Sequence, residues 1–532
     1  MQSTTSRGVT WFLTIAAVLG FFAATSIRLD VQGMYYDEMH QAPAAFFYIG
    51  ANPAMFTILL RGVPVMNMTY SGAIKSTLYG LYLRFGRQSF TVYSWRMMGI
   101  VLAAAGLLVF YRTAGSWLPL AGAILFEALL VTDTSAILMT RHDWGPVALA
   151  LGLRLAFLGI WTGMTRTPTR WGCGLAGAII GIALFEKLSS VVLLVPFALF
   201  LWMIWNSFRP GFAAAIYGFL LGSVPLILVN IASWKRGEGL LSLSNVTRVR
   251  PLELGGAFGY ARDYLTLGQG IDAQEVILGS HTSFAPTAEW CLMLALMLLI
   301  VAVALRDRSN RWLRLAALCA ISYAGIGIGL FLLPQETGIH HWILGTPFQY
   351  LAIVLAFAGS TTASPERNSI LRARKASILA GATVLLVVRA PNIVGVERAL
   401  LSGESSDLFS PELTQLAELA AAKSESAVFV SADWGTGTQL YCGMNGKRDS
   451  VYEPFGNENP ARAVLDIAKT TTKPNLYVII RGAAPQFASA SESILHAMSG
   501  APGWQEAPAE MEFSHLTLIR VRKFVRTDRR PD

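Results

Sequence analysis

The sequence is poor in charged residues. They make up 14% of its 532 positions, whereas ordinary soluble domains carry about 25%. Hydrophobic residues make up 53%, so too few charges remain to cover the surface of a water-soluble protein. This balance excludes a soluble enzyme, a disordered chain and a nucleic-acid-binding module, and it indicates a polytopic membrane protein.

Several site signatures are also missing. The four cysteines are too few and too scattered for a disulfide framework: Cys173, Cys291, Cys319 and Cys442. Neither a phosphate-binding GxxxxGK[ST] loop nor an HExxH zinc motif occurs, so no ATP-driven engine is indicated. The run from Gly172 to Gly177 has the spacing of a dinucleotide fingerprint but opens an apolar segment. We therefore predict that its glycines, with Gly181, let two membrane helices approach closely.

Long apolar segments occupy most of the first 390 residues. A span needs about 20 apolar residues to cross about 30 Å of hydrocarbon. Eleven segments fit this rule approximately, three of them being short: 9–27, 95–111, 118–135, 146–163, 172–185, 188–206, 212–231, 288–305, 314–333, 342–359 and 376–390. The predicted fold class is therefore mainly α, a polytopic helical membrane bundle. We expect 9–27 to be an uncleaved helix rather than a signal peptide, and 172–206 is alternatively a re-entrant pair.

The net charge of +9 is unevenly distributed. Residues 391–532 carry 14 basic and 17 acidic residues, whereas residues 1–390 carry 28 and 16. When the spans are threaded in order, most basic residues of the short loops fall on the side of the N-terminus, and the short loops opposite hold only Arg141 and Lys187. Cytoplasmic loops carry such an excess. We therefore predict a multi-pass plasma membrane protein, a bacterial inner membrane protein, with a cytoplasmic N-terminus.

Two domains are expected. Residues 1–390 form the membrane module, with long extracytoplasmic loops at 28–94 and 232–287, and residues 391–532 form a small extracytoplasmic α/β domain. In the latter, short runs of β-forming residues alternate with helical patterns. The predicted strands are Ala427–Ser431, Leu476–Arg481 and Leu516–Val521, and the predicted helices are Glu412–Ala422 and Ser491–Met498.

Reactive side chains collect on the predicted outer face. All seven histidines fall there, and four clusters flank the spans: Tyr35-Tyr36-Asp37-Glu38-Met39-His40, Arg141-His142-Asp143-Trp144, Glu186-Lys187 and His340-His341-Trp342. Polar residues at membrane depth are costly and tend to be functional, although any one cluster is alternatively an interfacial anchor. Adjacent carboxylates repel each other, so the Asp37-Glu38 pair gains nothing by simple anchoring.

With these clusters, the sequence resembles the GT-C membrane glycosyltransferases, particularly the protein O-mannosyltransferase and aminoarabinose-transferase type. The resemblance covers about residues 9–360 and is carried by short stretches: Asp37-Glu38, Gly72-Ala73-Ile74-Lys75, Phe85-Gly86 followed by Arg96, Arg141-His142-Asp143, Gly181-Ile182-Ala183 leading to Lys187, and His340-His341-Trp342 to Pro347. The WWDYG motif of oligosaccharyltransferases and the β-trefoil insertion of eukaryotic protein mannosyltransferases are absent, which leaves the acceptor open as a glycan, lipid or protein.

The resemblance implies a glycosyltransferase that takes a sugar from a polyprenyl phosphate in the lipid bilayer. Inverting transfer needs one carboxylate base to remove a proton from the acceptor hydroxyl or amine. The catalytic candidates are Asp37 as this base, Asp143 to hold the acceptor or orient a cation, and Glu38. Cations stabilise the departing phosphate, and the candidates are Lys75 first, then Arg141, His142, Lys187, His340 and His341.

Three alternatives stay open. No cofactor is expected, but His40, His142, Asp143 and His340 are residue types that suit a divalent metal. A membrane transporter or flippase for a lipid-linked solute is the second hypothesis for function, and a non-catalytic scaffold is the third. Transporters place polar groups near the midplane. Only Glu127 and Arg154 are predicted at that depth, as a structural ion pair or alternatively as a proton relay.

Overall fold

The computed structural model describes residues 7–51, 57–115, 118–244, 254–334, 337–359, 368–482 and 485–527. By internal contacts the chain divides into two compact units. Unit 1 comprises Met1–Leu29, Thr69–Gly72 and Arg96–Glu404, and unit 2 comprises Asp30–Met68, Ala73–Trp95 and Ser405–Asp532. Most of the first long loop therefore belongs to the same compact unit as the C-terminal region.

Helices form most of the described chain. In chain order they are α1 (Arg7–Thr25), α2 (Tyr36–Met39), α3 (Ile74–Gly86), α4 (Val92–Ala114), α5 (Leu120–Val131), α6 (Thr134–His142), α7 (Val147–Met164), α8 (Arg170–Glu186), α9 (Leu194–Ser207), α10 (Arg209–Gly222), α11 (Val224–Lys235), α12 (Ala257–Leu265), α13 (Ile271–Leu278), α14 (Pro286–Arg306), α15 (Arg311–Phe331), α16 (Ile339–Trp342), α17 (Phe348–Gly359), α18 (Asn368–Ser402), α19 (Pro411–Ala422), α20 (Gly437–Gly443), α21 (Pro460–Thr470) and α22 (Ala488–Ser499). Helix α18 continues through Pro391, the first residue of the predicted tail domain.

The helical membrane bundle predicted from the sequence is confirmed. Among the described residues, seven helical segments are long and apolar enough to cross a membrane, or nine if each of two bent pairs counts as one span. The difference from the predicted eleven arises at 9–27 and 172–185. These form α1, whose apolar part Trp11–Thr25 is short, and α8, which has 17 residues.

Two spans are broken, and neither break lies in the pair at 172–206 considered from the sequence. Helices α5 and α6 meet at 64°, and α10 and α11 meet at 54°. At the first break Asp133 caps α6, since its Oδ1 accepts the backbone N–H of Ala136 at 2.8 Å. At the second, a proline in the first turn of α11 cannot donate a backbone hydrogen bond.

Helices α8 and α10 pack closely through glycine. A Cβ on Gly177 would lie 1.9 Å from the carbonyl oxygen of Ala215, and one on Gly218 would lie 1.9 Å from that of Gly174. Only a residue without a side chain permits this approach. The Gly172–Gly177 run therefore serves helix packing, as predicted.

A buried polar network joins four helices or helix ends of unit 1, and sequence analysis missed it. Arg389 donates from Nε to Oε1 of Glu289 at 2.8 Å, and from Nη1 to the hydroxyl of Tyr350 at 2.6 Å. Tyr350 in turn donates to Oδ2 of Asp133 at 2.5 Å. Arg389, Glu289 and Asp133 are all at most 1% exposed. The network thereby ties α14, α17 and α18 to the break between α5 and α6.

The ion pair predicted between Glu127 and Arg154 is wrong. Glu127 instead accepts the hydroxyl of Tyr111 at 3.0 Å. Arg154 donates from Nε to the carbonyl oxygen of Thr346 at 2.7 Å and from Nη2 to that of Ile343 at 3.1 Å. Carbonyl groups in the irregular segment before α17 accept from Nε and Nη2 of the buried guanidinium in place of a carboxylate.

Replacing Arg389 with methionine should strongly destabilise unit 1. Methionine fills similar space but leaves the Glu289 carboxylate buried without its cation, and breaking such a pair costs about 3–5 kcal/mol. The thermal unfolding midpoint in detergent measures the effect. Arg236→Met is the matched control, because Arg236 and Glu238 form an exposed pair that contributes little. Equal shifts in both variants would contradict the assigned role of the network.

Unit 2 contains a five-stranded mixed sheet. The strands of the described residues are β1 (Ile58–Leu60), β2 (Val63–Met68), β3 (Ser71–Gly72), β4 (Ala427–Ser431), β5 (Val451–Tyr452), β6 (Asn475–Arg481), β7 (Trp504–Ala507) and β8 (Ile519–Arg526). The sheet order is β5-β4-β6-β8-β7. Strand β4 is parallel to β5 and β6, while β8 is antiparallel to β6 and β7.

Alternating side chains of the sheet bury against two separate apolar layers. Phe429 and Tyr477 belong to the layer that contains Leu416 of α19 and Leu440 of α20. Val428 and Val478 belong to the opposite layer, which contains residues of α21 and α22. A sheet covered by helices on both faces is the α/β arrangement expected for this region.

Candidate functional site

Two arginines bind the turn after α1, from which the first long loop departs. Arg141 donates from Nη2 to the carbonyl oxygen of Arg28 at 2.7 Å, and Arg96 donates from Nη1 to that of Leu29 at 2.6 Å. Nη1 of Arg141 also lies 3.5 Å from the carbonyl oxygen of Thr25, the last residue of α1, and cations are favoured at this end of a helix, where carbonyl groups are unsatisfied. Arg141, a predicted phosphate ligand, therefore has a structural role at the base of the loop, and its phosphate role stays a prediction.

Asp37 lies in the one-turn helix α2. Its Oδ2 accepts the hydroxyl of Tyr35 at 3.0 Å, and its side chain is partly exposed. Burial raises the pKa of Tyr35, so the phenol remains a donor at neutral pH. A hydrogen bond to an ionised carboxylate is stronger than a neutral one and fixes its orientation.

Glu38, the neighbouring candidate, is completely buried. It lies near Cys442, and burial together with the charge of Glu38 raises the pKa of that thiol. A base must reach the proton that it removes. The difference in exposure therefore favours Asp37 over Glu38 as the base.

Lys75 is in the first turn of α3 and is 1% exposed. Its Nζ lies 3.7 Å from the centre of the Trp95 ring, a cation–π contact that stabilises a desolvated ammonium. The next residue, Ser76, donates to the carbonyl oxygen of Gln41 and accepts from Nδ2 of Asn67 at 3.1 Å. The start of α3 is thus tied to the segment that follows α2, so Lys75 is held in a defined position.

In unit 1, three of the predicted clusters meet. The ring of Trp144 stacks on that of His340 with 5.0 Å between centres, and the rings of His340 and His341 lie 3.9 Å apart between centres. The Nζ of Lys187 donates to the carbonyl oxygen of His340 at 3.0 Å. Residues that are far apart in sequence therefore form one basic and aromatic cluster.

The remaining predicted residues of unit 1 lie in the turn before Trp144. Asp143 has a left-handed backbone with φ of 48° and ends α6. Its Oδ1 accepts the N–H of Ala148 at 2.8 Å, so the carboxylate joins the end of α6 to the start of α7. Nδ1 of His142 lies 3.0 Å from the carbonyl oxygen of Leu138. Both side chains are fully buried.

The backbone beside Lys187 is paired with a short piece of the first long loop. Ser71 forms an antiparallel bridge with Lys187, and the N–H of Leu188 donates to the carbonyl oxygen of Tyr70 at 3.0 Å. A Cβ on Gly72 would lie 3.0 Å from Cα of Glu186, so glycine is required there. This pairing fixes the position from which the Lys187 side chain extends.

A metal site receives no support from the described residues. Among them, no group of three or more His, Cys, Asp or Glu side chains is arranged to hold an ion. His40, one of the four candidates, packs edge-on against Tyr36 at 4.2 Å. Burial lowers the pKa of His40 to about 3, so its imidazole is neutral at physiological pH.

Glu453 follows β5 and was not singled out in the sequence. Its Oε2 accepts the hydroxyl of Tyr36 at 3.4 Å, and burial raises its pKa to about 7. Because a lone Glu in a polar turn has no distinctive spacing, only the fold identifies it as a neighbour of the Asp37 segment.

The raised pKa of Glu453 makes stability depend on pH. The folded protein binds this proton more tightly than the unfolded chain, in which the pKa is about 4.5. Stability from this group is therefore fully present below about pH 4.5 and is lost as pH rises towards 7. Glu453→Gln should remove this loss and raise the unfolding midpoint at pH 8, relative to pH 5, by about 2 to 4 °C. If the unfolding midpoints of the wild type and the variant changed with pH in parallel, the raised pKa assigned to Glu453 would be contradicted.

The apolar helical bundle gives this polytopic membrane protein a GT-C-type fold, as the sequence resemblance predicted. The structure matches that of ArnT from Cupriavidus metallidurans bound to undecaprenyl phosphate, with a TM-score of 0.54 and 12% identity over 98% of each chain. It matches the apo state of the same ArnT with a TM-score of 0.54 and 11% identity over 97% of each chain. No protein-family model and no curated protein matches the sequence. At this identity the likeness establishes the fold.

Proposed function

We propose that this protein is an integral-membrane glycosyltransferase that moves a sugar from a polyprenyl phosphate to an acceptor hydroxyl or amine. The observation that carries the proposal is the Asp37 carboxylate, which is partly exposed and oriented by a protonated phenol. It is supported by a fold shared over nearly the whole chain with ArnT, one of whose structures contains undecaprenyl phosphate.

The proposed reaction is a single displacement with inversion. Asp37 removes the proton of the acceptor as its oxygen or nitrogen attacks the anomeric carbon. The bond from that carbon to the phosphate oxygen breaks at the same time, and the lipid phosphate leaves with the bonding electrons. It needs no general acid, because cations stabilise its negative charge.

Lys75 is the proposed principal cation. A buried ammonium attracts phosphate more strongly than an exposed one, since the local dielectric is lower. The cluster of Lys187, His340 and His341, together with Arg141 and His142, supplies further candidates for the donor or acceptor, and Asp143 is proposed to hold or orient them. No metal or other cofactor is part of the proposal.

The proposed reaction takes place on the extracytoplasmic face of the inner membrane. The support is the charge distribution of the loops, which favours a cytoplasmic N-terminus. If all eleven predicted segments cross, α1 and α8 included, that orientation makes 28–94, 232–287 and the C-terminal region extracytoplasmic. A lipid-linked donor suits this location, because the substrate stays in the membrane.

The transporter hypothesis gains no support from Glu127 and Arg154. Of the two polar residues expected near the midplane, Arg154 binds backbone carbonyls and Glu127 accepts from a tyrosine. Both therefore have structural partners and present no paired site for a solute.

The proposal is tested with purified protein in liposomes that contain sugars on undecaprenyl phosphate. We expect one of these donors to lose its sugar, and mass spectrometry of envelope glycans and lipids from cells with and without the protein should show the matching product. Movement of a labelled lipid-linked solute across the vesicles without any sugar transfer would overturn the proposal in favour of a flippase.

A further inference from the structure

In unit 2, the segment that contains Asp37 covers the carboxyl ends of the parallel strands. The parallel strands lie in the order β5-β4-β6, so that β4 is the central one of the three. In open α/β sheets, ligands bind outside the carboxyl ends of such strands. Here the residues that follow β4 and β5 contact the first long loop. The ring of Trp434 lies 4.6 Å from that of Tyr36, whose hydroxyl reaches Glu453.

The ring of Tyr35 is held between two aromatic side chains of the C-terminal region. It stacks on Phe409 with 4.8 Å between centres and meets Trp434 edge-on at 6.1 Å. Both arrangements are preferred geometries of aromatic pairs. The backbone is fastened beside them, because the N–H of Gly33 donates to the carbonyl oxygen of Phe409 at 2.6 Å. A Cβ at Gly33 would lie 1.8 Å from the carbonyl oxygen of Ser410, so only glycine permits this approach.

The loop that carries Trp434 is itself rigid. The Asp433 carboxylate accepts the backbone N–H groups of Trp434 at 2.8 Å, Phe487 at 2.9 Å and Gln486 at 3.1 Å. The Nε2 of Gln439 donates both to Gly435, within this loop, and to the carbonyl oxygen of Met34 at 3.0 Å. The loop and the segment before Tyr35 therefore form one hydrogen-bonded body.

We propose that Phe409 and Trp434 are positioning residues that act on the catalytic carboxylate through Tyr35. They fix the phenol ring, and the phenol fixes the carboxylate of Asp37 by its hydrogen bond. The inference rests on the proposed function, in which Asp37 is the base. The C-terminal α/β region thereby contributes to catalysis, although none of its own residues is proposed to touch the substrate.

The effect on the reaction follows from the geometry that proton transfer requires. A misplacement of about 1 Å, caused far from the reacting atoms, can cost about 10²-fold in rate. We call the packing of Phe409 and Trp434 against Tyr35 the aromatic clamp. Loss of the clamp should therefore lower kcat while leaving donor binding unchanged, since neither Phe409 nor Trp434 is proposed to touch the lipid phosphate.

The test is a double-mutant cycle between Trp434→Leu and Tyr35→Phe. The latter removes only the hydroxyl and keeps the ring. We expect each single variant to lower kcat about 10- to 100-fold with the donor KM changed less than about twofold. The double variant should be no slower than the slower single one, because both changes break the same connection. Trp434→Phe should restore most of the activity.

Phe487→Leu is the matched control. Phe487 lies near the same end of the sheet, with its ring tilted against that of Phe455 at 5.0 Å between centres, but its side chain is 40% exposed. Its activity should equal that of the wild type. Losses that multiply in the double variant would overturn the proposal, since they would show that Trp434 acts independently of the Tyr35 hydroxyl.

A readout that needs no substrate separates this inference from the proposed function. Carbodiimide labelling of carboxylates, followed by peptide mass spectrometry, reports the reactivity of Asp37 relative to the exposed Asp30. Both single variants should change this ratio and Phe487→Leu should not. If wild-type protein transfers no sugar but the ratio responds, the proposed function fails and the clamp stands. If the ratio does not respond, the clamp is refuted.

Discussion

Asp37→Asn is expected to reduce sugar transfer about 10²- to 10⁴-fold, the range supplied by a general base. Asparagine is nearly isosteric with aspartate, and its amide oxygen can still accept the hydroxyl of Tyr35. The variant therefore loses the ability to take a proton while the local fold is retained. The effect is measured by initial rates of transfer from a lipid-linked sugar in liposomes. The donor KM is determined alongside.

Asp30→Asn is the control for this prediction. Asp30 belongs to the same loop and is exposed, so its replacement changes the charge equally without touching the proposed base. It should leave the rate within about twofold of the wild type, as surface substitutions usually do. An Asp37→Asn protein that kept full activity would show that another group removes the proton.

Lys75→Met is expected to lower kcat/KM for the lipid-linked donor about 10²- to 10³-fold, as loss of one donor to a developing anion does. Methionine keeps an unbranched apolar side chain against the Trp95 ring but carries no charge. Lys75→Arg should restore little, because a planar guanidinium does not replace a compact ammonium in a buried position. Steady-state kinetics over a range of donor concentrations checks both expectations.

Lys469→Met removes an exposed lysine of unit 2 and serves as the matched control. Its kcat/KM should change less than about twofold, because exposed charges are screened by solvent and salt. If both lysine variants lost activity equally, a general effect of positive charge, rather than a phosphate contact at Lys75, would explain the result.

Much of the fold was predictable because it depends on local pattern. Each predicted apolar segment lies on one or more helices, and strand β4 begins and ends at the predicted residues. Strands β5 and β7 were missed, since runs of two and four residues carry no recognisable alternation. The breaks after α5 and α10 were also missed, because a continuous apolar run shows length and not direction.

The candidate site was predictable only in part. The adjacent carboxylates of Asp37 and Glu38 single out Asp37, whereas Lys75 was chosen only through the family resemblance. The network of Asp133, Glu289 and Arg389 was not predictable, since its members are more than 90 residues apart and none belongs to a motif. Trp434 was not predictable either, because its importance depends on a contact with Tyr36 about 400 positions away.

Unit 2 is built from segments that are far apart in the sequence, and this has a consequence for how the protein is synthesised. Its first two segments end at Trp95 and its last begins at Ser405, so about 310 residues are synthesised in between. At about 5–20 residues per second this takes roughly 15 to 60 seconds. During that interval Tyr35 has no Phe409 or Trp434 to pack against. The segment proposed to be catalytic is therefore exposed in the nascent chain until the rest of unit 2 is made, and a chain truncated before Ser405 should be inserted in the membrane yet transfer no sugar.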